Sequence, residues 1–332
     1  MRLSWIVAAI VLLVVTSAAS RSVAQTGTAA PAEGFVWPND PEPEVVPPPG
    51  APVPTGAPLR PLPRKVRPVK PAVAVAPVPT PKPLPEPPPT PRFVSDASPA
   101  LTLAYPARGA AVNEGAQTFV WNTSGPIVQV KLTYSGERCE LGGSSRGSFD
   151  GEVGKFTNKG TAQWNVPWMD ATDFTVRLVG YDADGKELAS DERVYKLHPR
   201  ILQDKPDRCI VVSKARQRLY YLVDGTIQRM HIVSTAAGGY NTPTMRPGSY
   251  GSRGAMGRVF SKEYAPVSHL YHCVMYYWLG ITSSGSHGIH ATSPPFYSRL
   301  GDPASHGCIR QHRADARLLW EMVSVGTPVY VQ

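Results

Sequence analysis

The sequence SHGCIR at residues 305–310, preceded by IHAT at residues 289–292, decides the fold and the chemistry expected of this chain. A cysteine attacks a carbonyl as its thiolate, so Cys308 needs a base within reach and N–H groups that bind an oxyanion. His290 stands 18 residues before Cys308 and is a candidate for that base. Gly307 lacks a Cβ, which lets a substrate approach the main chain beside the thiol. The pattern predicts a cysteine nucleophile.

Side chains two residues apart project from the same face of an extended strand. If residues 305–310 are extended, His306, Cys308 and Arg310 therefore share a face. Arg310 is assigned to substrate binding, because a guanidinium is suited to a carboxylate; an ion pair with Asp315 is the alternative. Cys308 alone would be interpreted as a small buried residue, and its neighbours favour the nucleophile instead.

Three further segments agree with these motifs: LYYL at 219–222 before an Asp-Gly pair, VST at 233–235 leading to Thr242-Pro243, and GTPV at 326–329. With SHGCIR and the preceding histidine, they resemble the YkuD-type catalytic domain of the L,D-transpeptidases of bacterial cell walls. The resemblance covers about residues 207–332. It implies a β-rich catalytic domain that uses a cysteine nucleophile.

The resemblance also implies roles for individual residues. Cys308 would be the nucleophile and His290 the general base, with the backbone carbonyl of Ala291 orienting the imidazole. His306 and the N–H groups of Gly307 and Cys308 would line the oxyanion and acyl-donor side. Arg310 would anchor a carboxylate, and Ser305 is expected to contact the substrate beside it. Tyr277 and Trp278 are expected to contact the stem peptide for a separate reason, which is that they precede the turn at Gly280. Ala291 stands where many relatives have glycine, which is harmless if its carbonyl alone matters.

The implied reaction is acyl transfer on peptidoglycan stem peptides. Cys308 would release D-alanine from a tetrapeptide stem, and an amine would take the acyl group from the thioester. An amine on a wall-anchored protein is a further possible acceptor of the acyl group. Carbapenems are expected to acylate Cys308. No cofactor is expected. The alternatives are an L,D-carboxypeptidase or amidase on the same scaffold, and a non-catalytic wall-binding scaffold.

Seven of the eight histidines lie after residue 207, so a metal site must be weighed. His269 with His272 and His287 with His290 have three-residue steps, and zinc accepts such ligands. No acidic partner stands beside them, and the glycines within residues 284–289 argue against the helix of a His-Glu-x-x-His site. We expect no metal.

Residues 1–24 have the parts of a secretory signal peptide, with an early arginine, an apolar stretch at 5–15 and small residues at 22–24. The chain is therefore expected in the periplasm or cell wall. A retained anchor is the alternative, and membrane contact is expected only in that case. Residues 31–99 hold 24 of the 36 prolines, so 25–99 is predicted to be a disordered spacer of polyproline character. A ligand for proline-binding domains is the rival interpretation.

Four cysteines in an exported chain suggest disulfides. If Cys308 is a free thiolate, at most one bridge remains among Cys139, Cys209 and Cys273. We interpret Cys209 and Cys273 as the pair, since both fall in predicted strands of one domain. Three unpaired buried thiols are the alternative.

Positive charge is concentrated in the segment with the cysteine motif. Residues 207–332 hold 13 Lys/Arg and 6 Asp/Glu, or +7, whereas residues 100–199 hold 10 and 12, or −2. Nucleic acid is not expected, because no recognition helix or stacking platform is visible. Carboxylate-bearing stem peptides suit the basic surface.

Residues 100–198 alternate apolar and polar residues in short runs that turn clusters separate, which predicts an immunoglobulin-like β-sandwich. Trp121 and Trp164 are expected to be core aromatics rather than glycan contacts. A spacer, wall-binding or partner-docking role is all that the composition allows for this domain.

Residues 207–332 are also predicted to be mostly strand, at 209–212, 219–223, 227–234, 273–279, 307–310 and 329–331. One helix is predicted at 313–324, because apolar residues recur at helical spacing before Gly326. Residues 236–268 are rich in glycine and proline and are predicted to be a loop. The chain is thus expected to be mainly β: a signal and a spacer, a sandwich at 100–198, and a catalytic domain at 207–332 with one C-terminal helix.

Overall fold

The computed structural model describes residues 87–332. The predicted signal peptide at 1–24 and the predicted spacer as far as residue 86 lie outside the described residues. Residues 87–332 contain eighteen β-strands and one α-helix, so the predicted mainly β fold class is confirmed. In this part of the chain, no helix combines the length and the apolar character needed to cross a membrane.

Residues 93–198, called the sandwich here, contain strands β1 to β9. Their bounds are Phe93–Val94, Ala100–Tyr105, Ala111–Asn113, Gly115–Ser124, Gln129–Glu137, Ser148–Thr157, Thr161–Val166, Asp173–Tyr181 and Glu187–His198. One sheet has the order β1-β4-β2 with β7 also on β4, and the other has the order β3-β9-β8-β5-β6. Alternate residues face inward, and Trp121 and Trp164 belong to this core as expected.

The predicted spacer ends before residue 99. Strand β1 at Phe93–Val94 pairs in parallel with β4. The N–H of Thr123 donates to the carbonyl of Arg92 at 3.0 Å, and the N–H of Gly125 donates to that of Val94 at 2.9 Å. These backbone bonds add an edge strand to the sheet, which corrects the prediction that the whole segment 25–99 is unpacked.

Residues 207–332, called the C-terminal domain here, contain strands β10 to β18 and helix α1. The strands span Cys209–Ser213, Arg218–Val223, Thr226–Ser234, Ser249–Gly251, Gly254–Glu263, Trp278–Thr282, Gly288–Ala291, Ile309–Gln311 and Val329–Val331, and α1 spans Arg313–Met322. They form one nine-stranded sheet within residues 209–331, in the order β13-β14-β15-β16-β17-β12-β11-β10-β18. Strands β16 and β17 are neighbours in its middle; β16 carries His290, and β17 begins at Ile309, within the SHGCIR motif.

Two predictions within this domain are wrong. Residues 236–268 are not a continuous loop, because β13 and β14 form an antiparallel pair there. The predicted strand at 273–279 reaches β15 only at Trp278, and the preceding Tyr277 has a φ of 58°, which breaks an extended strand. Residues 264–277 instead form the connection that we call the β14–β15 loop.

The sandwich contacts the C-terminal domain through two ion pairs. The guanidinium of Arg218 donates two hydrogen bonds to Asp170, at 2.7 and 2.6 Å. Arg216 binds Glu114 in the same bidentate manner, at 3.0 and 2.6 Å. The planar fork of arginine matches a carboxylate in this geometry, so both contacts fix orientation as well as distance.

Candidate active site

Cys308 lies directly before β17, in a segment whose side chains alternate between buried and accessible. Gly307 and Ile309 are buried, whereas His306 is exposed and Cys308 and Arg310 are partly exposed. Alternation of this kind places His306, Cys308 and Arg310 on one accessible face. The backbone thus presents the thiol between an imidazole and a guanidinium.

His290 lies on β16, which pairs in parallel with β17. The register sets His290 opposite Arg310, so Cys308 lies diagonally from His290, two residues earlier on the neighbouring strand. The Nδ1–H of His290 donates to the carbonyl oxygen of Ala291 over 2.8 Å. Because a carbonyl oxygen only accepts, Nδ1 carries the proton and Nε2 of the neutral ring is the basic nitrogen.

Burial determines the resting protonation states of this pair. It lowers the pKa of His290 to about 4; the hydrogen bond to Ala291 opposes this shift, and the charge of Arg310 adds to it. Burial raises the pKa of the Cys308 thiol, while a hydrogen bond from the Gly288 backbone and the charge of Arg310 oppose the rise. At neutral pH the pair is therefore a thiol beside a neutral imidazole, and attack requires proton transfer to the ring.

Tyr277 and Trp278 do not line the accessible face, which corrects their predicted role as substrate contacts. Both side chains are buried, with 9% and 4% of their surface exposed. The Trp278 ring lies 5.9 Å from the ring of His290, and its Nε1–H donates to Ser261 Oγ at 3.3 Å. Its other neighbour is Gly288, where any Cβ would collide with the indole. Trp278 therefore holds the His290 ring and its strand in place.

Ser305 is fully buried, which corrects its predicted role as a substrate contact. Its hydroxyl donates to the carbonyl of Cys308 at 2.6 Å and accepts from the N–H of Gly307 at 3.1 Å. The Gly307 N–H is used within this turn, so its predicted role as an oxyanion donor is also corrected. Of the two predicted backbone donors, the Cys308 N–H remains.

His306 lies between two exposed tyrosine rings. The centroid of its imidazole is 4.3 Å from that of Tyr240 and 5.0 Å from that of Tyr271. Tyr240 precedes β13, and Tyr271 belongs to the β14–β15 loop. Two segments that are distant in sequence therefore meet at the residue two before Cys308, and the sequence alone does not predict either contact.

Arg310 is held at the edge of the site by its neighbours. Its Nη1 donates to the carbonyl of Ala304 at 3.2 Å, and its guanidinium lies 5.8 Å from the centroid of the Phe296 ring. Asp315, the alternative partner considered for it, accepts a hydrogen bond from the N–H of Gly142 in the sandwich at 3.1 Å. The role of Arg310 as a carboxylate anchor stays a prediction.

Two buried side chains support the turn before Cys308 and were not assigned to the site from the sequence. The hydroxyl of Thr242 donates to the carbonyl of Gly307 at 2.8 Å and accepts from the N–H of Ala236 at 2.9 Å. His287 lies against Gly307, where a Cβ would come 2.9 Å from its Nε2. Thr242 is part of the Thr242-Pro243 pair that carries the family resemblance, so the sequence offered a signal for it. No local sequence pattern indicates His287 as part of the site.

The histidines considered as metal ligands are dispersed. His269 and His272 are exposed in the β14–β15 loop, whereas His287 and His290 are buried beside and within β16. Among residues 87–332, no group of three or more His, Cys, Asp or Glu side chains is arranged to hold a metal ion.

The four cysteines, all within the described residues, are free thiols. The predicted bridge between Cys209 and Cys273 is therefore wrong. Cys209 is buried on β10, where its thiol donates to the carbonyl of Pro206 at 3.4 Å, whereas Cys273 is exposed in the β14–β15 loop. The thiol of Cys139 is buried as well and donates to the carbonyl of Met230 at 3.1 Å.

A β-rich domain that holds an oriented imidazole on the strand beside a cysteine is a candidate cysteine acyltransferase. Residues 207–331 match the family model described as the YkuD L,D-transpeptidase catalytic domain. The resemblance recognised in the sequence is confirmed for this segment, which carries an L,D-transpeptidase catalytic domain. No curated protein sequence matches the chain.

Solved structures of L,D-transpeptidases are similar to the chain. An enzyme from Mycobacterium smegmatis is 17% identical over 70% of this chain and 99% of its own, with a TM-score of 0.33. One from Mycobacterium tuberculosis H37Rv is 21% identical over 70% and 98%, with a TM-score of 0.33. One from Stackebrandtia nassauensis is 25% identical over 40% and 58%, also with a TM-score of 0.33.

Proposed function

We propose that this protein is an exported, cysteine-dependent L,D-transpeptidase that acts on the tetrapeptide stems of peptidoglycan. The observation that carries the proposal is the hydrogen bond from His290 Nδ1–H to the Ala291 carbonyl, on the strand beside Cys308. The L,D-transpeptidase domain match over residues 207–331 supports the substrate class. The C-terminal domain has 13 basic and 6 acidic residues, and this net positive charge suits a substrate that carries carboxylates.

In the proposed reaction, Nε2 of His290 takes the thiol proton while Cys308 Sγ attacks the carbonyl carbon of the third stem residue. The amide bond to the terminal D-alanine breaks, and the leaving amine takes the proton from His290. The product is a thioester on Cys308. The backbone N–H of Cys308 stabilises the oxyanion that forms on the way.

The second step restores the thiol. The side-chain amine of a diaminopimelate in another stem attacks the thioester carbonyl and gives a proton to His290. The carbon–sulfur bond breaks as the new amide forms, and the proton returns to Cys308. An amine on a wall-anchored protein would be joined to the stem by the same step.

Export to the periplasm or cell wall belongs to this proposal and is supported by the signal-peptide features of residues 1–24. The proline-rich segment would then separate the folded residues from the site of membrane passage. The sandwich would keep the C-terminal domain in a fixed orientation through Asp170 and Glu114.

The test incubates the mature chain and its Cys308→Ala variant with a disaccharide tetrapeptide and follows the products by mass spectrometry. A cysteine-dependent dimer that lacks one D-alanine is the expected result. Cysteine-dependent tripeptide as the sole product would instead indicate an L,D-carboxypeptidase, and identical unreacted substrate with both chains would favour a wall-binding scaffold. Circular dichroism of the variant checks that it folds.

A further inference from the structure

The loop between β5 and β6, residues 138–147, reaches from the sandwich to helix α1 of the C-terminal domain. Its tip is a tight turn in which Leu141 and Ser144 exchange two backbone hydrogen bonds, each 3.1 Å long. The central residues Gly142 and Gly143 have φ values of 61° and 80°. Glycine adopts such angles without the strain that a side chain brings. The β5–β6 loop therefore ends in a closely defined tip.

This tip contacts the start of α1 through Gly142. The N–H of Gly142 donates to a carboxylate oxygen of Asp315 at 3.1 Å. Gly142 also lies against the His312 imidazole, where any Cβ would collide with the ring. His312 is the N-cap of α1, since its Nδ1 accepts from the N–H of Ala314 at 3.2 Å, and its ring lies 4.0 Å from that of Tyr297. The sandwich thus holds both the cap and the first turn of the helix.

Asp315 has no role in the reaction proposed above, yet its side chain is buried. Burial raises the pKa of Asp315 to about 6; the hydrogen bond from Gly142 opposes this rise, the charge of Glu140 adds to it, and the charge of Arg229 opposes it. A buried carboxylate costs free energy unless hydrogen-bond donors satisfy it. The N–H of Gly142 therefore stabilises a group that the helix alone would leave poorly solvated.

The start of α1 contacts the end of β16, the strand that carries His290. Ala316, in the first turn of α1, is buried in one cluster with Ala291. The carbonyl of Gln311, directly before the helix cap, accepts from the N–H of Thr292 at 2.8 Å. The carbonyl of Ala291 in turn accepts the Nδ1–H of His290 at 2.8 Å. The backbone that α1 supports is therefore the backbone that orients the imidazole.

The two ion pairs of the sandwich lie elsewhere. Asp170 binds Arg218 on β11, and Glu114 binds Arg216 just before that strand. In the nine-stranded sheet, β12 and β17 separate β11 from β16. The ion pairs thus hold the sandwich on the sheet, whereas the β5–β6 loop extends to the helix beside the candidate site.

We infer that Gly142 and Asp315 are positioning residues for the reaction at Cys308, because their contact fixes the start of α1 and thereby the orientation of the His290 imidazole. This role rests on the proposed function, since it acts through His290 as the base. Small displacements of a catalytic group slow a reaction even where the fold is retained. The sandwich is then part of the catalytic apparatus rather than a spacer alone.

The test compares Gly142→Ala with Gly143→Ala in the full chain. Both glycines have positive φ, but a Cβ on Gly143 meets no atom within 4 Å, so the comparison separates the collision with His312 from backbone strain. Carbapenem acylation of Cys308 at pH 7 is followed by intact-mass spectrometry, and urea unfolding shows whether each variant is folded. We expect Gly142→Ala to react about 10–100-fold more slowly than Gly143→Ala. Equal rates would overturn the inference.

Iodoacetamide distinguishes a misplaced base from a disturbed thiol. Its reaction with Cys308 follows the thiolate and does not use His290 as a base. The alkylation rate at pH 9 should therefore be the same in Gly142→Ala and Gly143→Ala. If alkylation slows in parallel with acylation, the substitution has disturbed the thiol itself, which would contradict the role assigned to Gly142.

Asp315 supplies a second test that introduces no collision. Asp315→Ala removes the acceptor and should slow acylation, whereas Asp315→Asn keeps an oxygen for the Gly142 N–H and should restore a rate near that of the wild type. The double variant Gly142→Ala/Asp315→Ala should be no slower than the slower single variant, because both changes break one contact. Additive losses would contradict a shared contact.

The outcomes also separate this role from the proposed function. A wild-type chain that a carbapenem does not label would refute the proposed cysteine chemistry, and the positioning role with it. Labelling of the wild type at a rate that neither Gly142→Ala nor Asp315→Ala changes would refute the positioning role alone.

Discussion

At the scale of single residues, Ala291 serves the site through its backbone, because the His290 imidazole binds its carbonyl oxygen. The Ala291 side chain is therefore replaceable, whereas the His290 imidazole, which the Ala291 carbonyl orients, is not. This difference distinguishes an oriented base from a histidine that merely fills space.

We predict that His290→Gln lowers the rate of Cys308 acylation by a carbapenem by about 10²–10⁴-fold, because an amide cannot take the thiol proton. The rate is measured by intact-mass spectrometry over time. Ala291→Gly is the control; it keeps the carbonyl acceptor and should stay near the wild-type rate. Equal losses in both variants would mean that the strand, rather than the base, had been disturbed.

The resting pair also predicts a pH profile. Burial lowers the pKa of His290 to about 4 and raises that of Cys308, so neither group ionises between pH 5 and 7. The rate of Cys308 alkylation by iodoacetamide should therefore rise steadily from pH 6 to pH 9, following the thiolate. A plateau that begins below pH 6 would indicate a resting thiolate–imidazolium pair and would contradict this reading of the site.

The placement of His290 on the strand beside Cys308 was predictable, because both residues lie within short motifs. The predicted roles of Ser305 and the Gly307 N–H failed for a definite reason. A motif specifies residue types, but these two groups bond to each other inside the turn, and only the fold determines that pairing. Tyr277 and Trp278 failed because the face on which each lies depends on a break at Tyr277.

At the scale of elements, the turn before β17 requires glycine. Gly307 has a φ of 138°, and a Cβ there would lie 2.9 Å from His287 Nε2 and 3.3 Å from the carbonyl oxygen of Asn241. We predict that Gly307→Ala destabilises the protein by about 2–4 kcal/mol, from backbone strain together with overpacking. It should also abolish carbapenem labelling, since the turn cannot form without displacing its neighbours.

Gly326→Ala is the matched control, measured with Gly307→Ala by urea unfolding. Gly326 has a φ of 93°, but a Cβ there meets no atom within 4 Å. It should show the strain without the collision and keep its labelling. If the two variants lose equal stability, the collision of the new Cβ with His287 adds nothing to the loss that backbone strain causes.

Element prediction succeeded where periodicity is strong and failed where glycine interrupts it. Helix α1 was found from its apolar spacing and ends two residues before the predicted end. Strand β14 was missed because Gly254 and Gly257 both have positive φ, and its pairing with β15 shifts register between Met256 and Ser261. Such irregular strands are specified by their partners rather than by local alternation.

At the scale of the whole molecule, the sandwich and the C-terminal domain are joined by a buried ion pair. Asp170 and Arg218 each have 8% of the side chain exposed. Burial alone would raise the pKa of Asp170, but the hydrogen bonds and charges of Arg218 and Arg146 leave it below its ordinary value. The stabilisation from this carboxylate is therefore present above about pH 4 and is lost as the pH falls through its lowered pKa.

We predict that Asp170→Ala destabilises the folded chain by about 3–5 kcal/mol at pH 7, because it leaves the Arg218 guanidinium buried and unpaired. Urea unfolding measures the loss. Asp173→Ala is the control, since Asp173 pairs with Lys196 at the surface, where an ion pair contributes little. A small effect in both variants would show that water reaches Arg218 and that the contact between the two parts is loose.

The two folded parts were predictable from alternating strands and from the cysteine motif, but their contact was not. Asp170 and Arg218 are 48 residues apart, and neither belongs to a motif. From the sequence alone, Asp170 and Arg218 would both be predicted to be solvent-exposed charges. Only the arrangement of the two folded parts makes them a buried pair.

The order of strands in the C-terminal domain also has a consequence for biosynthesis. Strand β10 at Cys209–Ser213 pairs with β18 at Val329–Val331, so the first and last strands of the domain are neighbours. A ribosome must deliver every residue through 331 before β10 gains its second partner. The strands from β10 to β17 are therefore synthesised before the strand that completes the sheet, and the domain can close as a unit only after residue 331 has been delivered.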